Sequence, residues 1–301
     1  MMQEFIIKEN DANQSVFNFL KKVYQTTPLS VIYKWFRKKE VKVNNHRIND
    51  QKLQLKVGDV VVVYDSNRPL KRTEFKPVDY SLLEVVYNDE NILVVNKPFN
   101  IEVHSEFNSS LDAMVRSYLV AHHEYDPTQE QSFVVSHVHR LDKLTSGLVI
   151  YAKNKPSLSQ LLHAIKTTIA KQYVLHTASG FPEFLDAQGY IYYDAEAQKS
   201  VFNQQKIDAR MKPCHTQFKL ISQNKDFSVV EASLKTGRKH QIRATLAYYG
   251  LPIINDFRYQ GKKINNQRMI FLKAYKIIFH DLNEPLLYLN ERIIEIDQNF
   301  N

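Results

Sequence analysis

A polar loop that runs directly into a buried strand constrains this chain more than any other feature. His139-Arg140-Leu141-Asp142-Lys143-Leu144-Thr145-Ser146-Gly147-Leu148 leads into Val149-Ile150-Tyr151-Ala152, an apolar run that reads as a strand. A loop seated on a rigid sheet is where reactive side chains can be held in place. Asp142 is the one carboxylate of the stretch, with Arg140 and Lys143 as close neighbours. Nearby positive charge keeps an Asp ionised and so able to act as a nucleophile. A surface Arg–Asp pair would account for the same charges, and on charge alone it is the commoner arrangement.

Around this stretch the pattern predicts runs of strands with few helices. Val85-Val86-Tyr87 and Ile92-Leu93-Val94-Val95 flank Asn88-Asp89-Glu90-Asn91, a hairpin signal. A helix is expected over 111–120 and a loop over 121–132. Pro156 opens a second helix with an apolar stripe at Leu158, Leu161, Leu162, Ile165 and Ile169. Strands are expected at 173–178, 227–234, 270–279 and 286–296. Residues 183–214 are poorly patterned and read as a loop-rich excursion. Thr236-Gly237 turns into a helix over 239–249, which Gly250 ends and Pro252 prevents from resuming. Strand runs without alternating βαβ units predict an α+β fold with a mixed or antiparallel sheet.

The N-terminal part reads differently. Val16, Phe19, Leu20 and Val23 lie on one helical face, and Pro28 is expected to end that helix. Val31, Ile32, Trp35 and Phe36 mark a second helix, with Lys34, Arg37, Lys38 and Lys39 beside or opposite the stripe. Trp35 is expected in the core. Short strands follow at Val41–Val43 and after Gly58-Asp59, with a turn at Asn44-Asn45. This predicts a small domain at 13–65, a polar linker at 66–79 and a larger domain at 80–301.

Length and composition narrow the function. At 301 residues the chain is long enough for two domains. No apolar run reaches the roughly 18 residues of a membrane span, and the N-terminus lacks a secretory pattern, so a cytoplasmic protein is expected. Cys214 is the only cysteine, which excludes an intrachain disulfide and a zinc–cysteine cluster. Residues 1–76 hold 15 Lys and Arg against 8 Asp and Glu, a balance of +7 out of the +8 for the whole chain. A basic module joined to a near-neutral body suggests a polyanion grip on a second functional unit. No phosphate-binding glycine loop is present, and the histidines lack carboxylate or Cys partners at ligand spacing, so neither metal nor organic cofactor is expected.

The central stretch resembles the signature of the RluA-type pseudouridine synthases, which runs His-Arg-Leu-Asp and then Thr-Ser/Thr-Gly-Leu. Three further blocks agree in type and order: Asn96-Lys97-Pro98 with His104 behind it, Lys171-Gln172-Tyr173, and Thr236-Gly237-Arg238-Lys239-His240-Gln241-Ile242-Arg243 followed by Gly250-Leu251-Pro252. Residues 13–65 are similar to the S4 RNA-binding module, down to Val43-Asn44-Asn45 and Gly58-Asp59. That likeness implies RNA phosphate contacts by Lys34, Arg37, Lys38, Lys39 and Arg47.

The resemblance implies isomerisation of uridine to pseudouridine in RNA, with Asp142 as the catalytic carboxylate. Asp142 would either attack C1′ or remove the C2′ proton. Arg243 matches the arginine that pairs with this Asp, and Tyr173 the tyrosine that stacks on the uracil. Arg140 matches the residue that helps flip the target base, and Lys97 either contacts RNA or pins the strand end. Departures are Phe99-Asn100 after Lys97-Pro98, Lys239 before His240, Ala244-Thr245 after Arg243, and Asn255-Asp256 where many members have Gly-Asp. Asn255-Asp256-Phe257-Arg258-Tyr259, together with His139-Arg140-Leu141-Asp142-Lys143 and Thr145-Ser146-Gly147, is similar to the branch acting on 23S ribosomal RNA, which implies that RNA as partner; a monomer is expected. The alternatives are a tRNA-directed synthase and a non-catalytic RNA-binding or ribosome-assembly factor. Intact Asp142, Tyr173 and Arg243 argue against the last.

Overall fold

The computed structural model describes residues 2–64, 75–105, 109–264 and 269–300, and the chain divides into two compact units. The first takes in Met1–Pro77, Arg116–Ser136 and Lys153–Pro156, and the second takes in the rest. Most of the expected linker at 66–79 lies outside the described residues.

The first unit runs through β1 (Gln3–Ile6), α1 (Val16–Val23), α2 (Leu29–Arg37), β2 (Val41–Val43), β3 (His46–Ile48) and β4 (Val60–Val63). Its strands make one sheet in the order β1-β4-β2-β3. The helices form because their apolar residues recur on one face: Val16, Phe19, Leu20 and Val23 are buried, as are Ile32, Trp35 and Phe36. Ser15 caps α1, its Oγ accepting from Asn18 N at 3.2 Å. Pro28 does not end α1, which stops at Val23. It is the N-cap of α2, where the missing proline N–H has no helical acceptor to lose.

β1 precedes the expected domain start at residue 13. Four residues are too few for a period-two pattern to stand out, yet Phe5 and Ile7 are buried and β1 pairs antiparallel with β4. Asp11, 1% exposed, accepts from Ser132 N at 3.0 Å, Ser132 Oγ at 2.7 Å and Gln131 Nε2 at 3.0 Å. This ties parts of the unit that lie far apart in sequence, which no local pattern announces.

Further along come β5 (Glu84–Asn88), β6 (Ile92–Lys97), α3 (Leu111–Ala121), β7 (Ser136–His137), β8 (Ser146–Ala152), α4 (Lys155–Ala164) and β9 (Ile169–Ala178). They are followed by β10 (Phe184–Asp194), β11 (Lys199–Asn203), β12 (Lys212–Gln223), β13 (Phe227–Leu234), α5 (Gln241–Tyr248), β14 (Leu272–Phe279) and β15 (Ile293–Glu295). The sheet runs β11-β10-β12-β13-β9-β14-β8-β6-β5, with β15 on β14 and β7 on β8. β14 and β8 are parallel, while the other neighbours along that path are antiparallel. This is the mixed α+β fold the sequence predicts. At the parallel pair Gly147 has φ +113°, and a Cβ there would run into the Ala274 carbonyl. Only glycine therefore lets β8 approach β14 just past the Asp142 loop.

Residues 183–214 are the largest correction. They form β10, β11 and the start of β12, not a loop. On one face of β10 Ala187 and Gly189 interrupt the apolar alternation ahead of the strand formers Ile191 and Tyr193, which leaves too short a pattern to read as an eleven-residue strand. The strand expected at 286–296 shrinks to β15, because Leu286 and Leu289 sit three apart in a 3-10 turn and are buried there. Leu162 is 44% exposed and leaves the α4 stripe, and Ile169 opens β9 instead of closing the helix.

One apolar core gathers Ile92, Val94, Leu148, Ile150, Leu161 and Phe279. A smaller cluster of Ile191, Phe202, Cys214, Ala244 and Tyr259 seats α5 on the sheet, so the strands missed in the sequence support the helix that carries Arg243.

Candidate active site

Three distant segments deliver the expected catalytic residues to one pocket in the second unit. The loop entering β8 brings Asp142, β9 brings Tyr173, and α5 brings Arg243; Arg140 and His240 also line the pocket. Each is positioned by local chemistry. Thr145 N donates to Asp142 O at 3.0 Å, closing the loop into a turn, while Leu141 is buried. His139 Nε2 accepts from Ile150 N at 3.3 Å and anchors the loop to the strand. Gln241 holds the start of α5: its Oε1 accepts from Thr236 Oγ1 at 2.8 Å and Arg238 N at 3.0 Å, and its Nε2 donates to Thr216 Oγ1 at 2.8 Å. The helix starts at Gln241, two residues later than expected, because His240 takes a left-handed backbone with φ 54°.

Arg243 is 4% exposed and serves two carboxylates. Its Nη1 donates to Asp142 Oδ2 at 2.9 Å. Its Nε and Nη2 grip Asp256 Oδ2 and Oδ1 at 2.7 and 2.9 Å. The bidentate side fixes the plane of the guanidinium, and the remaining N–H aims at Asp142. Burial works against the charge on Arg243, but the hydrogen bonds and charge of Asp256, followed by Asp142, outweigh it and push its pKa up. Asp142 keeps a quarter of its side chain exposed, and Oδ1 has no protein partner among the described residues. Tyr173 is buried, and burial together with the Asp142 charge pushes its phenol up, so its hydroxyl stays protonated.

His240 is a second neighbour of Asp142, with Nε2 3.6 Å from Oδ2. Tyr259 Oη accepts from Ser200 N at 2.7 Å and lies 3.0 Å from His240 Nδ1. This network assigns Nδ1 as the acceptor of the Tyr259 hydroxyl, which leaves the ring proton on Nε2, facing Asp142. Burial, against the pull of Asp142, lowers His240 to about 4, so the ring is neutral at ordinary pH.

Lys97 requires a correction. It is wholly buried, and its ammonium donates to Pro98 O and Ile101 O at 2.8 Å and to Lys143 O at 3.2 Å. RNA cannot reach it. Instead it pins the end of β6 to the residue after Asp142, and burial, partly offset by Asp142, lowers it to about 7. Arg140 is exposed at the pocket. Lys34, Arg37, Lys38, Lys39 and Arg47 belong to the other unit, all exposed and without a carboxylate partner among the described residues. Among the described residues no group of three or more His, Cys, Asp and Glu side chains is placed to hold a metal, and no helix is long and apolar enough to cross a membrane.

Asp256, His240 and Tyr259 were not among the sequence candidates. Asp256 and Tyr259 stand in the Asn255–Tyr259 stretch, whose signals were its place opposite a Gly-Asp and its likeness to one branch of the family, neither of which gave these residues a role. Nothing local reveals that Asp256 faces Arg243, because the contact is made by the turn after α5.

The chain matches the family model described as RNA pseudouridylate synthase over residues 91–248. It is 52% identical over 297 residues to a Mycoplasma capricolum subsp. capricolum protein described as an uncharacterized RNA pseudouridine synthase, covering 97% of both chains. It is 28% identical over 298 residues to the ribosomal large subunit pseudouridine synthase C of Vibrio cholerae, covering 94% of this chain and 91% of that one. The solved structure of human RNA pseudouridylate synthase domain containing 1 matches with a TM-score of 0.56 at 18% identity, over 73% of this chain and 91% of that one, a likeness of fold.

Proposed function

This chain belongs to the RNA pseudouridylate synthase family and is an isomerase, and from that premise we propose that it converts uridine to pseudouridine in large-subunit (23S) ribosomal RNA. The observation that carries the reading is the meeting of Asp142, Tyr173 and Arg243 in one pocket, with the Arg243–Asp142 pair at 2.9 Å. The reaction breaks N1–C1′, turns the uracil and forms C5–C1′, with no redox change and no group donor. Asp142 acts at the ribose through the oxygen that Arg243 leaves free. Tyr173 faces the uracil, and Arg140 fills the space left by the extruded base, whose unstacking costs a few kcal/mol.

The ribosomal target draws support from the relatives named as large-subunit synthases. The basic module from β1 to β4 acts as an S4-type RNA grip. In support, Lys34, Arg37, Lys38, Lys39 and Arg47 are exposed in and just after α2 and on β3, without carboxylate partners among the described residues. With a ribosomal target the enzyme acts in the cytoplasm, and it does so as a monomer.

The test is pseudouridine mapping in total RNA from cells carrying the wild-type chain, the Asp142→Asn variant or neither. Positions in 23S RNA that need Asp142 are expected. Dependent positions confined to tRNA would overturn the ribosomal target, and none in any RNA would overturn the reaction.

A further inference from the structure

We propose that Tyr193 and Lys239 form a second nucleotide subsite beside the target pocket, which takes an unpaired nucleotide flanking the target uridine: its base on the Tyr193 ring, its phosphate on Lys239. The inference rests on the RNA substrate class proposed above and adds a place for the neighbouring residue. Lys239 is exposed, has no carboxylate partner among the described residues, and holds its ammonium 3.4 Å from the centre of the half-buried Tyr193 ring. The Tyr193 ring meets His240 edge to face, with centroids 5.9 Å apart at 80°, and His240 Nε2 lies 3.6 Å from Asp142. One imidazole therefore separates this aromatic face from the reacting carboxylate.

The platform is rigidly built. Tyr193 pairs across the strands with Ser200, whose Oγ donates to Lys239 O at 2.6 Å and whose N–H donates to Tyr259 Oη at 2.7 Å. The strand paired with the tyrosine's is thus tied both to the turn carrying the lysine and to the support of His240. Arg238 lines the pocket, and the positive charge of exposed Arg258 reaches His240. An exposed lysine resting on the open face of a half-buried ring gains little, whereas a stacked base gains more and its phosphate offers the ammonium a full counter-charge. A single-stranded nucleotide is therefore expected to displace Lys239 from the ring and keep it as a phosphate contact.

The test is fluorescence anisotropy with a labelled nine-residue RNA, uridine at the centre and cytidine elsewhere, and with copies made abasic at either neighbour of the uridine. For the wild-type chain, one abasic copy is expected to bind about tenfold more weakly, the effect of losing one stacked base. Tyr193→Ala should lose about the same factor on the intact RNA and nothing further on that abasic copy, while Tyr193→Phe stays close to wild type. Lys239→Gln should lower the log–log salt slope by about 0.7. Tyr193→Ala binding the intact RNA like wild type, or losses that multiply at both neighbours, would overturn the subsite. Lys239 is exposed, so Lys239→Gln folds whatever becomes of Tyr193→Ala, and an unchanged slope overturns the phosphate contact. Pseudouridine formation by the wild-type chain is read separately: if it occurs while these variants bind normally, only the subsite fails.

Discussion

Replacing Asp256 with Asn removes one negative charge from a wholly buried position and changes almost nothing in shape. Asp256 is 1% exposed and takes two hydrogen bonds from Arg243, at 2.7 and 2.9 Å. The Asn amide can accept one of them and turns an N–H toward the other. Arg243 then keeps its charge at 4% exposure with Asp142 as its remaining carboxylate. Stripping a buried ion of its partner costs about 3–5 kcal/mol. At about 2–4 °C per kcal/mol for a chain of this size, Tm should fall by about 10 °C. The freed edge of the guanidinium should also swing toward Asp142 and engage the oxygen now left open. Misplacing a reacting group in this way should lower kcat by about 100-fold. KM should hardly move, since affinity rests on phosphate contacts. Thermal unfolding and tritium release from 5-tritiated uridine in RNA measure the two effects. A Tm within about 2 °C of wild type with kcat unchanged would refute the anchoring role; Asp256→Glu, which keeps the charge, should lie between the two.

Three other outcomes are expected. His240 is depressed from its ordinary value to about 4, so the unfolded chain binds the proton first: the stability this residue contributes is complete above about pH 6.5 and is lost as the pH falls toward 4, about 3 kcal/mol in all. His240→Gln should flatten that acid limb in urea unfolding followed from pH 7 to 4. Lys97→Met should leave three carbonyls without their donor, at about 1–3 kcal/mol for each group that stays buried, and lower the urea midpoint. Changing Lys34, Arg37, Lys38, Lys39 and Arg47 together to Gln should flatten the log–log salt slope of RNA binding by about 0.7–0.9 for each phosphate that these side chains neutralise. Substitution is the cleaner perturbation there, because deleting 1–76 would strip Ser132 and Gln131 of Asp11.

Residues that answer to their near neighbours were legible in the sequence. The α1 and α2 faces, the hairpin of β5 and β6, strand β13, and Trp35 in the core all follow from periodicity over a few residues, since burial on one face imposes that period. Asp142, Tyr173 and Arg243 were singled out only by the motif blocks that resemble a known family; on residue type and charge alone each had an ordinary structural reading. Residues 183–214 were not legible, because β10 gains its place from partners on both sides, β11 and β12, and has little apolar alternation of its own. For Lys97 the sequence left two readings open, RNA contact or pinning the strand end, and could not choose between them. A lysine beside a proline looks like a surface cation until the turn at 98–101 and Lys143 close three carbonyls around it. Asp256 and His240 belong with it: their meaning lies in contacts to Arg243 and Asp142 from elsewhere in the chain. Sequence alone thus determined which faces had to be buried and which motif blocks stood in which order. Tertiary structure decided which charges are shared, which donors are spent and which oxygen of Asp142 is taken by Arg243, because hydrogen bonds and ion pairs act over a few ångströms of space whatever the distance along the chain.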